Sequence, residues 1–147
     1  MDITYVIHIA TTAESLWQAL TSPGILKDTW GDIRSEWTAN SPVREVDHAG
    51  KVLWTGDVLR SDPPHVLSFT MDVPGIGEPP TTVTFEIRAP LSPVAPGAQV
   101  VRLSVTQSGF VENSTLIAGC ARAWTEILSS LKSDVETGHP IPFRWHG

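Results

Sequence analysis

The last third of the chain joins a strand-like run to one long amphipathic helix. Alternating side chains over residues 102–107 indicate a β-strand, which ends at the turn sequence Ser108-Gly109-Phe110. Apolar side chains then recur every three or four positions: Ile117, Cys120, Ala121, Trp124, Leu128, Leu131 and Val135. With about 3.6 residues per helical turn, these side chains form a single stripe. A stripe of this length needs an extended apolar surface to pack against, and the strands upstream supply it.

The sequence before this helix indicates one strand, two short helices and six further strands. Alternation predicts the first strand over residues 3–10. Thr11 and Glu14 have the spacing of a capping box, which predicts a helix over about 12–21, and Ser22-Pro23 predicts a second helix that ends near Gly31. Strand-like runs then follow, separated by turn residues: 33–39, 43–47, 51–60, 66–73, 81–89 and 99–107.

Connections this short favour hairpins, so the pattern predicts an α+β fold with an antiparallel sheet. One face of the sheet must be covered, and the C-terminal helix is the only predicted element long enough to cover it. We therefore expect the sheet to curve around that helix, with the two short helices closing one end. We expect a single domain over residues 1–137 and a tail over 138–147. The tail is either a flexible terminus or docks through Phe143 and Trp145 on the domain or on a second copy.

Composition excludes several classes of protein and partner. The 147 residues carry a net charge of -6, and the few Lys and Arg residues are scattered, which argues against nucleic-acid binding. No apolar run approaches the roughly 20 residues that span a bilayer, and the N-terminal residues do not resemble a secretion signal. The single cysteine, Cys120, excludes a disulfide within the chain and has no base nearby in sequence, so a small core residue is favoured over a nucleophile. We predict a cytoplasmic monomer or homodimer with no membrane or nucleic-acid partner.

Aromatic and sulfur-containing side chains fall on the elements that should face the space between sheet and helix. The predicted ligand-binding residues that line this space are Trp30, Trp37, Trp54, Phe69, Met71, Phe85, Cys120 and Trp124. Buried aromatics also fill cores of this size, so core packing is the alternative for each of them. If some of them line an apolar cavity, their indole N–H groups are suited to hold the polar end of a ligand. Trp37 and Trp54 are favoured for this role because alternation along their strands places polar neighbours beside them.

Residues for catalysis or metal binding do not form a recognisable set. His8 falls on the polar face of the first strand, and the strand carboxylates Glu36, Asp57 and Glu86 are expected to face solvent. Asp57 is spaced to form an ion pair with Arg60. No pair of His or Cys has the spacing of metal ligands, so we predict no metal, no cofactor and no catalytic residue.

Several short segments carry a family resemblance through their order along the chain: Ala13-Glu14-Ser15-Leu16-Trp17-Gln18-Ala19-Leu20-Thr21, 26–30, Gly56-Asp57-Val58-Leu59 before Asp62-Pro63-Pro64, Leu67-Ser68-Phe69, 82–87, 103–110 and Trp124-Thr125-Glu126-Ile127-Leu128. In this order they resemble the helix-grip, START/Bet v 1-like (SRPBCC) superfamily, and within it the activator of Hsp90 ATPase homologue 1-like family. Members often have glycine where this chain has Ala123. The resemblance covers residues 1–137 and implies a helix-grip fold with a pocket between sheet and helix. The same scaffold serves lipid carriers, hormone receptors, cyclases and co-chaperones, so it implies no single activity.

These observations lead to three functional hypotheses. The first is a non-enzymatic protein that binds a small apolar or aromatic ligand between the sheet and the C-terminal helix. The second, which the family resemblance implies, is a co-chaperone-like partner of Hsp90 with a role in the stress response. The third is an enzyme of cyclase or hydrolase type, in which a His, Asp or Glu of the pocket donates a proton.

Overall fold

The computed structural model describes residues 1–90 and 92–143. Within them the chain forms seven strands and three helices: β1 (Ile3–Ile9), α1 (Ala13–Thr21), α2 (Pro23–Thr29), β2 (Asp32–Ser35), β3 (Pro42–Val46), β4 (Val52–Asp62), β5 (Val66–Met71), β6 (Thr81–Arg88), β7 (Val101–Ser108) and α3 (Ile117–Thr137). The predicted order of elements is confirmed. So is the helix-grip fold, in which a curved antiparallel sheet holds one long C-terminal helix.

The strands form one sheet in the order β1-β7-β6-β5-β4-β3-β2. From β2 to β7 each strand pairs with the next along the chain, as short connections favour. β1 pairs instead with β7, which places Ile3 opposite Gln107 and Ile9 opposite Val101. The first and last strands are therefore neighbours, and α3 follows β7, the strand that pairs with β1.

The long helix packs on the inner face of this sheet. Side chains on β6 and β7 alternate between buried and partly exposed positions, which is the pattern of a sheet with one covered face. The buried positions join one apolar core with Trp124, Leu128 and Leu131 of α3. From Trp124 onward, the predicted stripe of the C-terminal helix thus packs in the core against the strands.

Three hydrogen bonds hold α3 alongside β1. The Tyr5 hydroxyl donates to a backbone carbonyl of α3 (3.1 Å), and the Lys132 ammonium donates to the His8 carbonyl (2.7 Å). The Ala10 N–H donates to the Glu136 carboxylate (2.7 Å), which also accepts from Lys132 (2.7 Å). The Ala10 bond and then the Lys132 bond lower the pKa of Glu136 below its usual value.

The predicted capping box is wrong by one residue. Thr12, rather than Thr11, is the N-cap of α1, and its side-chain oxygen accepts a hydrogen bond from the Ser15 N–H (3.1 Å). Glu14 is therefore an acidic residue of the first turn, where the helix dipole favours a negative charge, and makes no reciprocal cap.

The strand predicted over 33–39 ends early, at Ser35. Trp37 has a φ of 56° and Asn40 a φ of 69°, and this left-handed backbone cannot continue a strand. Ser35 holds the turn, because its hydroxyl oxygen accepts a hydrogen bond from the Trp37 N–H (3.0 Å). Trp37 is consequently a buried loop residue, and it packs in the core from the turn after β2.

β4 and β5 approach so closely at Gly56 that no side chain fits there. A Cβ atom at Gly56 would lie 1.7 Å from the carbonyl oxygen of Thr70. The Thr70 hydroxyl oxygen accepts from the Asp57 N–H (2.9 Å), and the register of the two strands shifts just beyond, between Val58 and Arg60. Glycine is therefore required where the sheet bends.

The described part of the tail doubles back on α3. Gly138, with a φ of 80°, ends the helix in a left-handed conformation. The Ser133 hydroxyl then donates to the His139 carbonyl (2.7 Å), and the Ser130 hydroxyl donates to the Ile141 carbonyl (3.0 Å). Up to residue 143 the tail docks on its own domain, while Trp145 lies outside the described residues.

Candidate functional site

A cavity of about 480 Å³ lies between the first half of α3 and the inner face of the sheet. Small residues on the helix create it: Gly119, Cys120 and Ala123 line the cavity where larger side chains would fill the space. None of residues 117–123 is fully buried. The remaining apolar wall comes from eight side chains: Trp30, Leu53, Trp54, Met71, Val73, Leu116, Trp124 and Ile127.

Trp30, at the end of α2, organises the aromatic wall. Its ring centroid lies 5.1 Å from that of Trp124 and 6.1 Å from that of Trp54. Phe69 and Phe85 pack against it at 6.2 and 6.3 Å. Such interlocked rings form a rigid wall, because each one restricts the rotation of its neighbours.

The structure places the predicted site residues in three groups. Trp30, Trp54, Met71, Cys120 and Trp124 line the cavity. Phe69 and Phe85 are part of the core, and neither lines the cavity. Trp37 packs edge-on against Phe69 (5.8 Å) in the same core and lines a separate surface depression near α1 instead of the cavity.

The indole N–H groups of Trp54, on β4, and Trp124, on α3, already donate to acceptors within the protein. Trp54 Nε1 donates to Glu45 Oε1 (2.9 Å), and Trp124 Nε1 donates to Gln107 Oε1 (2.8 Å). The suggestion that these N–H groups hold the polar end of a ligand is therefore not supported for Trp54 or Trp124. The polar residues on the inner wall that sequence reasoning missed are Glu45 and Gln107.

Glu45 is a carboxylate on the cavity wall with only 2% of its surface exposed. It lies opposite Trp54 in the pairing of β3 with β4, and Gly31 leaves room for it. A Cβ atom at Gly31 would come within 2.6 Å of Glu45 Oε2. Alternation along β3 could have found this residue, since it puts Glu45 on the same face as buried Val43.

Gln107 is 1% exposed and sits at the centre of a buried hydrogen-bond network. Its Nε2 donates to the Thr81 hydroxyl oxygen (2.9 Å) and to the sulfur of Met71 (3.6 Å), while Oε1 accepts from Trp124. Because an indole N–H can only donate, this network determines which way the amide points. Alternation on β7 places Gln107 on the face of Leu103, a signal that was available from the sequence.

Cys120 lines the cavity with its thiol beside Gln107. Burial raises the pKa of the Cys120 thiol, and a hydrogen bond with the Gln107 side chain only partly opposes this effect. The thiol therefore stays protonated at neutral pH, which does not suit a nucleophile.

The loop that leads into α3 forms part of the rim. Glu78, from the connection between β5 and β6, accepts hydrogen bonds from the Ser114 hydroxyl and the Thr115 N–H (2.9 Å). The Ser114 hydroxyl bond, followed by those from Thr115, lowers the pKa of Glu78. This carboxylate fixes the start of the helix over the cavity, and the exposed Arg122 completes the rim.

The other candidate polar residues lie away from the cavity. His8, Glu36 and Asp57 are exposed, and Glu86 is partly exposed. The predicted ion pair between Asp57 and Arg60 is wrong, because Arg60 pairs with Asp62 instead (3.6 Å).

Residues 1–90 and 92–143 contain neither a metal-binding cluster nor a membrane-spanning helix. In this part of the chain no group of three or more His, Cys, Asp or Glu side chains is placed to hold a metal ion. No helix there combines the length and apolar character needed to cross a bilayer.

Solved structures share this fold at low sequence identity. The Aha1 dimer from Colwellia psychrerythraea is 22% identical, with a TM-score of 0.73 over 94% of this chain and 98% of that one. An HSP90 activator from Plasmodium falciparum is 15% identical, with a TM-score of 0.70 over 95% of this chain and 98% of that one. DynU16, a protein from the dynemicin biosynthetic locus, is 20% identical, with a TM-score of 0.78 over 99% of this chain and 51% of that one.

The family model described as activator of Hsp90 ATPase homolog 1-like protein matches residues 10–136. That range contains all the residues that line the cavity. Comparison with curated proteins gives no match. The chain belongs to the activator of Hsp90 ATPase homolog 1-like family.

Proposed function

We propose that this protein binds a small, largely apolar or aromatic molecule in the cavity under the first half of α3, as a non-enzymatic binding protein of the cytoplasm. The observation that carries this proposal is the cavity itself, with a volume of about 480 Å³ and tryptophan walls. Pockets for small organic ligands fall in this size range and are mostly apolar. Each 100 Å² of apolar ligand surface removed from water contributes about 2.5 kcal/mol to binding before the costs of association are counted.

The proposal is tested by titrating the protein with a panel of apolar and aromatic compounds, with tryptophan fluorescence and the melting temperature as readouts. Trp30, Trp54 and Trp124 line the cavity, so an occupant should change their emission. Ala123→Phe places a ring in the cavity and should weaken binding by about tenfold or more through steric exclusion. Ala118→Phe is the matched control, because Ala118 is exposed on the same helix.

Two results would contradict the proposal. One is a panel in which no compound changes fluorescence or melting temperature. The other is an Ala123→Phe protein that is folded and binds as tightly as the Ala118→Phe control.

A partnership with Hsp90 is the second candidate, and the match to the family model favours it. The Plasmodium falciparum protein of the same fold is an HSP90 activator. A pull-down with purified Hsp90, combined with an ATPase assay, tests this role. If Hsp90 does not retain the protein and its ATPase is not stimulated, this role is excluded.

An enzyme that uses the same cavity is the third candidate, and Glu45 favours it, because a buried carboxylate in an apolar site is a typical proton donor. Once a bound compound is found, incubation followed by mass spectrometry shows whether it is converted. Turnover that is lost in Glu45→Gln would support catalysis, and an unchanged compound would leave binding as the function.

A further inference from the structure

The three tryptophans of the cavity wall differ in how their indole N–H groups are used. Those of Trp54 and Trp124 donate to side chains of the sheet. The N–H of Trp30 has no acceptor among residues 1–90 and 92–143, although only 6% of this residue is exposed. A buried donor without a partner is costly, so a group of this kind calls for an explanation.

The cavity provides the explanation for the Trp30 N–H. The nitrogen is not sealed off from solvent, and Trp30 lines the cavity. The open space under α3 therefore reaches this donor, and whatever occupies the space can accept a hydrogen bond from it. Water does so in an unliganded protein, and a ligand that displaces this water must replace the hydrogen bond or lose affinity.

The Trp30 donor is also held rigidly. Four aromatic rings pack around the Trp30 ring, with centroid distances between 5.1 and 6.3 Å. Its backbone N–H donates to the Leu26 carbonyl (2.8 Å), which fixes the residue at the end of α2. Because the ring is ordered before a ligand binds, a hydrogen bond from it costs little conformational entropy.

A single buried N–H suits a neutral acceptor better than an anion. An indole nitrogen donates one hydrogen bond, which is enough for a carbonyl oxygen. A carboxylate that leaves water needs several donors or a nearby opposite charge. Arg122, a basic residue of the lining, is exposed at the rim, whereas Trp30 is buried in the core.

We infer that the ligand of this cavity carries a neutral carbonyl group on an aromatic or apolar body, and that the carbonyl oxygen accepts a hydrogen bond from Trp30 Nε1. This inference rests on the proposed function and narrows the class of ligand. The body of the ligand packs against the other apolar side chains of the wall, among them Trp124 and Ile127.

Calorimetric titration with three probes that share a naphthalene ring tests the inference: acetylnaphthalene, isopropenylnaphthalene and naphthoate. The second has the shape of the first, with a methylene group in place of the carbonyl oxygen. Trp30→Phe removes the N–H and keeps an aromatic ring. It should weaken binding of the ketone by about fivefold more than binding of the alkene, as expected for one buried hydrogen bond. Naphthoate should bind the unmodified protein more weakly than the ketone.

Trp37→Phe is the matched control for this substitution. Trp37 is buried in the same core but lines the depression near α1 instead of the cavity. Its replacement removes an indole N–H that the ligand does not meet. The ratio of the affinities for ketone and alkene should therefore change by less than about twofold.

Nuclear magnetic resonance of the unmodified protein makes the test independent of how well the Trp30→Phe variant folds. Each of the six tryptophans gives one indole signal in a proton–nitrogen correlation spectrum. In the unliganded protein the Trp30 proton should exchange with heavy water faster than those of Trp54 and Trp124, which are bonded within the protein. With the ketone bound, the Trp30 proton should move downfield of its position with the alkene bound.

Several results would overturn the inference and leave the proposed function standing. One is a Trp30→Phe protein in which ketone and alkene lose the same affinity. Others are a Trp30 signal at the same position with both probes, or naphthoate that binds more tightly than the ketone. If these three probes do not bind but other apolar compounds do, the inference fails alone. If no compound binds, the proposed function fails with it.

Discussion

The two halves of α3 carry the same apolar periodicity but pack in different ways. In the second half, Leu128 and Leu131 are buried in the core, and the helix is held beside β1 because Lys132 donates to the His8 carbonyl and Glu136 accepts from the Ala10 N–H. In the first half no side chain between residues 117 and 123 is fully buried, and the cavity lies beneath it. An apolar stripe therefore shows which face of a helix turns inward, without showing whether protein atoms fill the space it faces.

The difference follows from side-chain size and from the polar residues opposite. The second half presents large leucines, whereas the cavity lining of the first half includes Gly119, Cys120 and Ala123. Opposite them lie the buried side chains of Glu45 and Gln107. One half of the helix thus packs in the core, and the other half lies over the cavity.

The largest difference in the free energy of unfolding should come from truncating one leucine in the core-packed half of the helix and one on the cavity wall. Leu131→Ala removes a buried core side chain and should lower the free energy of unfolding by about 3 kcal/mol. Leu116→Ala removes the same atoms from the cavity wall and should cost less than about 1 kcal/mol, because Leu116 is only partly buried and loses fewer packing contacts. Urea unfolding of both variants gives the comparison. Equal losses would show that the first half is packed as tightly as the second.

The next largest change in the free energy of unfolding should come from breaking the buried hydrogen bond between Trp124 and Gln107. Gln107→Leu leaves the buried indole N–H without its acceptor and should cost about 2 kcal/mol. In a Trp124→Phe background, which has no N–H, the same substitution should cost about 1 kcal/mol less. A double-mutant cycle measured by urea unfolding checks this, and additive costs would mean that the bond contributes nothing.

A smaller effect should follow from releasing the tail. Ser130 is fully buried, and its hydroxyl donates to the Ile141 carbonyl, so Ser130→Ala should cost about 1 kcal/mol and expose the tail to protease. Ser129→Ala is the control, because Ser129 is exposed and donates only within the helix, to Thr125; its cost should stay within about 0.5 kcal/mol. Similar proteolysis rates in the two variants would contradict this account of the tail.

The smallest effect should be the pH dependence due to Glu136. The pKa of Glu136 is lowered in the folded protein from its usual 4.5, so the folded state binds this proton less readily than the unfolded state. Its contribution to stability is therefore present above pH 4.5 and is lost as the pH falls through the folded pKa. Glu136→Gln should flatten the fall in the urea midpoint over that acidic range. An equally steep fall in Glu136→Gln and in the unmodified protein would contradict this account.

Alternation along the strands predicts two polar residues of the cavity wall. The pattern of β3 places Glu45 beside Val43, and that of β7 places Gln107 beside Leu103. The two-residue period of a strand therefore predicts that Glu45 and Gln107 are polar residues on the covered face of the sheet. Alternation does not predict the position of Trp37, since its left-handed backbone is held by one hydrogen bond, from the Trp37 N–H to the Ser35 hydroxyl oxygen, and by packing against Phe69.

The sequence by itself determined the order and type of the elements, the antiparallel sheet and the face of α3 that turns inward. Those features follow from local periodicity, which repeats every two residues in a strand and about every 3.6 in a helix. The tertiary structure alone decided that the first half of α3 lies over a cavity, that Glu45 meets Trp54 there, and that Trp37 does not line it. These features depend on the separations and sizes of side chains from distant parts of the chain, which no local pattern records.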